Sequence, residues 1–245
     1  MLSLITLDRL LPTSESHLQD WQAGFRRGRG CRDNTAILRT LCDRILRLGE
    51  SIVISFIDYS TAFDSVSHKF LDEALIEAGA SNKLRAIFRA VYLSASAFTS
   101  VTAPEGKTVK SGVFPVRRGV IQGDTMSPLY FILALDLILR RHDQRTDKGA
   151  LGQTVIHTLG YADDATLIDR GDAQGVQLAS ERLTDISKGS RTDADMDISI
   201  RKTKGMHVRA QDKVSATTAG EACAACKFIC PHPHCGYKFY SKRGM

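Results

Sequence analysis

Three aspartates stand out by type and by setting. Asp58 follows directly on the apolar run 52–57, and Asp163 and Asp164 are adjacent within VIHTLGYADDATLID, residues 155–169. An ionised carboxylate at the end of an apolar strand carries a desolvation cost unless it is solvated, paired or bound to a cation. Three such groups converging would suit a hard divalent ion, because Mg²⁺ takes oxygen ligands and keeps waters and substrate phosphates in its octahedral shell. Two ions held in this way can activate an attacking hydroxyl and stabilise a departing pyrophosphate. The competing reading is local: aspartates at strand ends also cap turns and helices. Sequence separation does not say whether Asp58 meets Asp163, so both readings stay open on the carboxylates alone.

The elements around them decide whether convergence is feasible. Residues 52–57 show little alternation, and Ile52, Val53, Ile54, Phe56 and Ile57 suit a central strand buried on both faces. Before it, 33–48 carries Ile37, Leu41, Ile45 and Leu48 at helical spacing, with Asp33 or Asn34 as cap and Gly49 as stop. Helices are expected over 67–78, ended by Gly79, and over 83–93. Glycines and prolines among β-favouring residues in 97–116 indicate short strands or a hairpin. LYFILALDLILRR, 129–141, is apolar on nearly every side and reads as a buried helix. Residues 155–169 read as two β-segments turning at the paired aspartates, 173–187 as a helix, and 197–208 as a further strand and turn. No internal repeat is present. This order indicates an α+β or split-βαβ arrangement, an antiparallel sheet packed against helices, in which each aspartate lies beside a strand.

Charge and cysteine usage narrow the partners. The formal net charge is +6, from 33 basic and 27 acidic side chains, which is compatible with a polyanionic partner. RRGRGCR at 26–32 has four arginines and no acid, and 201–213 is also basic, while 191–197 is net acidic. The apolar run 129–139 is shorter than the ~20 residues a membrane span needs, so no membrane partner is expected. The N-terminus lacks the features of a secretory signal. Four of the six cysteines crowd into 223–235. That is a poor pattern for a disulfide framework and a better one for an intracellular protein with a metal-binding tail.

Five blocks in order, QAGFRRGRGCRDNTAI, FIDYSTAFDSV, GVIQGDTMSPLYFIL, LGYADD and KTKGMHV, resemble the reverse transcriptase of non-LTR, LINE-like retrotransposons. The resemblance implies a right-hand polymerase palm with partial fingers. Residues 1–49 would be a fingers segment, 50–214 the palm with part of the fingers, and 215–245 a Cys/His-rich tail. Asp58 and Asp163 match the family's metal-binding aspartates and Asp164 the accompanying acid, for Mg²⁺ or Mn²⁺. The carbonyl of Tyr59 would complete a metal shell. Asp64 is expected to cap or pair locally. Phe63 matches the aromatic gate that excludes a ribose 2′-hydroxyl, and Gln122 and Gly123 match the loop around the nascent base pair. Ser127 and Pro128 read most simply as a helix cap followed by proline.

By the same resemblance, Arg26, Arg27, Arg29 and Arg32 are phosphate contacts. Lys202 approaches pyrophosphate or assists protonation, and Lys204 contacts nucleic acid. For any single basic residue, solvated surface charge is nearly as good a reading. Cys230 and Cys235 match the cysteine pair of a C₂H₂-like finger, a candidate Zn²⁺ site whose histidines would fall beyond Met245. The chain is expected to be part of a longer element, lacking upstream finger motifs and a clear primer-grip block, so weak or absent activity in isolation is also an expectation. The implied function is RNA-directed DNA synthesis from an RNA template, a DNA primer and dNTPs, in a nucleus. Two alternatives remain open at this point: a noncatalytic nucleic-acid-binding remnant and a metal-dependent nuclease.

Overall fold

The computed structural model describes residues 2–143, 156–170, 194–199, 201–209, 226–229 and 237–240, with the helical positions Gln177, Glu181 and Thr184. In chain order the first half comprises helices α1 (Leu2–His17) and α2 (Cys31–Leu48), strand β1 (Ser51–Ile57), and helices α3 (Ala62–Ser65), α4 (His68–Glu77) and α5 (Asn82–Phe88). A π-helical turn, Arg89–Leu93, continues α5. The short strands β2 (Ser96–Ala97), β3 (Ser100–Thr102), β4 (Thr108–Lys110) and β5 (Phe114–Pro115) form an exposed arm. Then come helix α6 (Ser127–Asp143) and strands β6 (Thr158–Tyr161), β7 (Asp164–Arg170), β8 (Lys204–Arg209), β9 (Cys226–Ile229) and β10 (Tyr237–Tyr240).

Six strands make one antiparallel sheet in the order β6-β7-β1-β8-β10-β9. The apolar run of β1 is central, with β7 on one side and β8 on the other, as its lack of alternation requires. On one face Ile57, Ala165 and Leu167 pack with α4 and α6, among them Phe70, Leu71, Phe131 and Leu135. On the other, Ile52, Ile54, Ile168, Met206 and Val208 pack against Leu41, Cys42 and Ile45 of α2. Each such aliphatic side chain contributes about 1.5–3 kcal/mol on burial. The fold is therefore a mixed α+β one with helices on an antiparallel sheet.

Local chemistry explains the boundaries. Gly30 precedes α2, and the Asp33 carboxylate accepts its N–H at 2.7 Å, so Asp33 supports the cap from inside the helix. Gly49 ends the helix at φ 71°, where a side chain would be strained. Helix α6 is buried from Leu129 to Leu139, and the one acid within that stretch, Asp136, is 1% exposed. Its Oδ1 accepts the Gln19 N–H at 3.1 Å, and Arg140 Nε lies 2.8 Å from Oδ2. Burial still pushes this carboxyl upward against those partners.

Two features depart from the sequence expectation. Helix α1 carries a weak apolar period: Thr6, Leu10 and Ser14 are buried, Leu7 packs partly buried against the core, Pro12 sits inside the helix, and Leu2, Leu4 and Ile5 are exposed. The expected helix over 83–93 divides into α5 and the π-helical turn. Of the helix expected over 173–187, Gln177, Glu181 and Thr184 are helical and the rest lies outside the described residues. No helix among the described residues is long and apolar enough to cross a membrane.

Candidate active site

The register of the central strands brings the acids together. Ile57 of β1 faces Ala165 of β7, and Tyr161 of β6 faces Asp164, so the next step along β1 sets Asp58 beside Asp164. Asp163 occupies the two-residue turn between β6 and β7. Burial of the Asp164 carboxyl, then the negative charges of Asp163 and Asp58, push its proton affinity above the ordinary carboxylate range. Like charges within interaction range disfavour ionisation in this way. The three groups named from the sequence thus share one end of the sheet, and the charges of Asp163 and Asp58 bear on Asp164.

Asp58 is held through its backbone as well as its strand. Its N–H donates to Thr203 Oγ1 at 3.3 Å, its carbonyl accepts the Ser199 N–H at 2.7 Å, and Tyr59 forms a bridge with Ile198. Lys202 Nζ lies 3.5 Å from Asp58 Oδ1. Lys204 pairs with Phe56, placing it one step back on the same sheet face. A cavity of about 360 Å³ runs along that face, lined by Cys31, Asn34, Leu38, Phe56, Tyr161 and Asp164 among others.

The turn carrying Asp163 has a second support that sequence reading did not identify. Gln22 is fully buried, and its Oε1 accepts N–H groups from Gly24 at 2.8 Å and Ala162 at 3.2 Å. Around it, the Ala23 N–H donates to Gly160 O and the Gly160 N–H to Trp21 O, both at 2.8 Å, and Asn34 Nδ2 donates to Gly160 O at 2.8 Å. A Cβ at Gly24 would stand 2.1 Å from the Ala162 nitrogen, so only glycine permits this approach. The available signal was the Gln and Gly of QAGF, overshadowed by the arginines beside them.

Residues 119–127 fold against 61–66. The Val120 N–H donates to Phe63 O and the Gly119 N–H to Val66 O, both at 2.8 Å. Gln122 Nε2 donates to Asp64 Oδ1 at 2.9 Å, a long-range hydrogen bond where a cap or local salt bridge was expected. Phe63 is half-buried, stacked on Phe131 at 4.2 Å with Phe25 edge-on at 6.4 Å. Gly123 has φ 86°. Ser127 is the first residue of α6, and its buried hydroxyl donates to Ile121 O at 2.6 Å, tying the loop to the helix instead of capping it.

The arginines divide. Arg26 is buried, paired with Glu15 at 2.6 Å and donating to the carbonyls of Gln19 and Gln22. Its guanidinium is a strut beneath the turn and points inward, which is a correction to its grouping with the phosphate contacts. Arg29 pairs with Asp20 at 2.5 Å, while Arg27 and Arg32 are exposed. Cys230 and Cys235 lie outside the described residues, although the flanking strands β9 and β10 lie in the main sheet.

Among the described residues, no group of three or more His, Cys, Asp or Glu side chains is gathered closely enough to hold a metal ion. Asp58 and Asp163 act on Asp164 through their charge, and the three do not close around one point. Their chemistry nevertheless fits a hard cation: all are oxygen donors, and Asp164 carries the raised proton affinity that a nearby positive charge would relieve.

Residues 1–229 match the family described as reverse transcriptase (RNA-dependent DNA polymerase), and the chain belongs to it. More narrowly, it is homologous to Pol proteins of R2-type non-LTR retrotransposons. It is 28% identical over 162 residues to the Retrovirus-related Pol polyprotein from type-1 retrotransposable element R2 of Nasonia vitripennis, covering 66% of this chain and 15% of that protein. It is 29% identical over 183 residues to the corresponding polyprotein from type-2 retrotransposable element R2DM of Drosophila melanogaster, covering 73% and 17%. The chain thus spans less than a fifth of the length of either relative. In fold it is similar to apo telomerase from Candida tropicalis, with a TM-score of 0.61 at 10% identity over 86% of this chain and 41% of that one. Membership supports a nucleic-acid polymerase role.

Proposed function

We propose that the chain is an RNA-directed DNA polymerase domain that adds deoxynucleotides to a primer 3′-hydroxyl. The observation that carries this reading is the strand register that sets Asp58 beside Asp164, with Asp163 in the adjoining turn, in a reverse transcriptase family member. In it, the sheet with α4 and α6 is the palm within 50–214, and 1–49 contributes part of the fingers. The three aspartates would hold Mg²⁺ or Mn²⁺, which when bound supplies charge stabilisation to the transferring phosphoryl group. Phe63 limits the space beside the incoming sugar and so favours dNTPs. Gln122, held by Asp64, and Gly123 border the nascent pair. Lys202 is released from Asp58 to meet pyrophosphate or to supply a proton. Arg27 and Arg32, with Arg29 and Lys204, contact the template and primer backbone.

A second reading has one observation in its favour. The Lys202 ammonium beside Asp58 already supplies a positive charge, which suits a nucleic-acid-binding module without turnover. Primer extension on RNA and DNA templates with Mg²⁺ or Mn²⁺, run beside Asp163→Asn, separates the two. Metal-dependent incorporation that the variant loses supports the polymerase. Salt-sensitive binding without extension supports the module, and cation-dependent cleavage without incorporation would replace both with a nuclease.

A further inference from the structure

The β6–β7 turn has an awkward local geometry. Ala162 sits in the left-handed region at φ 54°, where a Cβ-bearing residue is disfavoured. Strand β6 is also the outermost in the sheet, so no full strand supports the turn on that side. Something outside the hairpin must hold it. The support comes from Gln22: a parallel bridge to Gly160 carries the backbone, and the Gln22 amide oxygen reaches two residues further to the Ala162 N–H.

The orientation of that amide is fixed chemically. Two N–H groups, from Gly24 and Ala162, point at the same side-chain atom, and only an oxygen accepts both. Its Nε2 is buried with no hydrogen-bond partner, an uncompensated cost that argues for a role at the oxygen end. Asn34 adds a bond to Gly160 O from α2, so the N-terminal segment and α2 both converge on the hairpin tip.

The geometry points to Gln22 as a positioning residue that clamps the Ala162 turn and so fixes Asp163 and Asp164 relative to Asp58. It touches no substrate, and the inference rests on the polymerase reading only for its effect on activity. Removing the clamp leaves the carboxylates present but lets the turn relax toward less strained backbone angles, spreading the acids. Binding of template and primer, which uses other surfaces, is preserved.

The test is Gln22→Met, which keeps the volume and removes the acceptor, beside Gln22→Glu, which keeps an accepting oxygen. The milder Asn34→Ala covers the case in which Gln22→Met fails to fold. Amide hydrogen exchange at Ala162 is measured in the full chain without metal. Protection is expected to fall roughly tenfold or more in Gln22→Met, less in Asn34→Ala, and to be retained in Gln22→Glu. In primer extension, kcat is expected to fall about ten- to a hundredfold in Gln22→Met, with a higher Mg²⁺ half-saturation and a template–primer Kd within about twofold of the parent. Unchanged Ala162 protection in folded Gln22→Met, or in Asn34→Ala if the former does not fold, overturns the clamp. Loss of protection across the whole sheet in the variant examined also overturns it, because the role is then general stability. If the parent chain extends no primer yet Ala162 protection collapses selectively, the polymerase reading fails and the clamp stands.

Discussion

Strands β1 and β7 lie side by side along their whole length, yet their two ends do opposite things. At one end Ile52, Ile54 and Ile168 are fully buried against α2. At the other, Asp58 and Asp164 stand beside each other with Asp163 in the adjoining turn. The aliphatic end gains from burial, whereas the acidic end gathers like charges that Lys202 offsets only at Asp58. Placing the repulsion at the tip of strands anchored by their other end lets the fold tolerate it. Stability and chemistry should therefore be separable along one pair of strands.

The most severe break in that contrast is Asp163→Asn. Losing one carboxylate removes several kcal/mol of charge stabilisation, so primer extension is expected to fall roughly a thousandfold, with no loss of thermal stability by calorimetry. Ile54→Ala is the mirror experiment. A cavity in the α2-facing core should cost about 2–5 kcal/mol in denaturant unfolding, while turnover per folded molecule stays near that of the parent.

Proton linkage sharpens the comparison with a smaller effect. The folded state holds the Asp164 proton more tightly than the unfolded chain, so its favourable contribution is complete below the ordinary carboxylate range and is lost as pH rises through the raised folded value. Without metal, Asp164→Asn is therefore expected to lose this decline and to match or exceed the parent in stability at neutral pH. Mg²⁺ should raise the parent melting temperature more at neutral pH than in acid. The smallest effect belongs to the periphery. Arg27→Ala with Arg32→Ala should lower the slope of log K against log salt by roughly one to two without altering metal dependence, whereas Arg26→Ala should act through stability, because its partners are Glu15 and two carbonyls.

How much of this was legible follows from how local the signals are. The largely apolar, weakly alternating run of β1, the all-round apolarity of α6 and the stop at Gly49 depend on near neighbours, and each appears as the sequence indicates. The turn at the paired aspartates is likewise a short-range feature. Helix α1 was not legible, because Thr6, Leu10 and Ser14 make a narrow inward stripe of mixed polarity around Pro12. Nor was the split among the arginines: four similar side chains in a few residues differ only in whether Glu15 or Asp20 lies within reach.

The residue types offered oxygen donors at strand ends, and the resemblance carried by the ordered blocks singled out Phe63, Gln122 and Gly123 beside them. Strand pairing, which depends on contacts distant in sequence, decided that Asp58 stands next to Asp164. It also decided that Gln22 would be drawn under the turn, since a buried amide is specified by the two N–H groups that surround it and not by its neighbours along the chain.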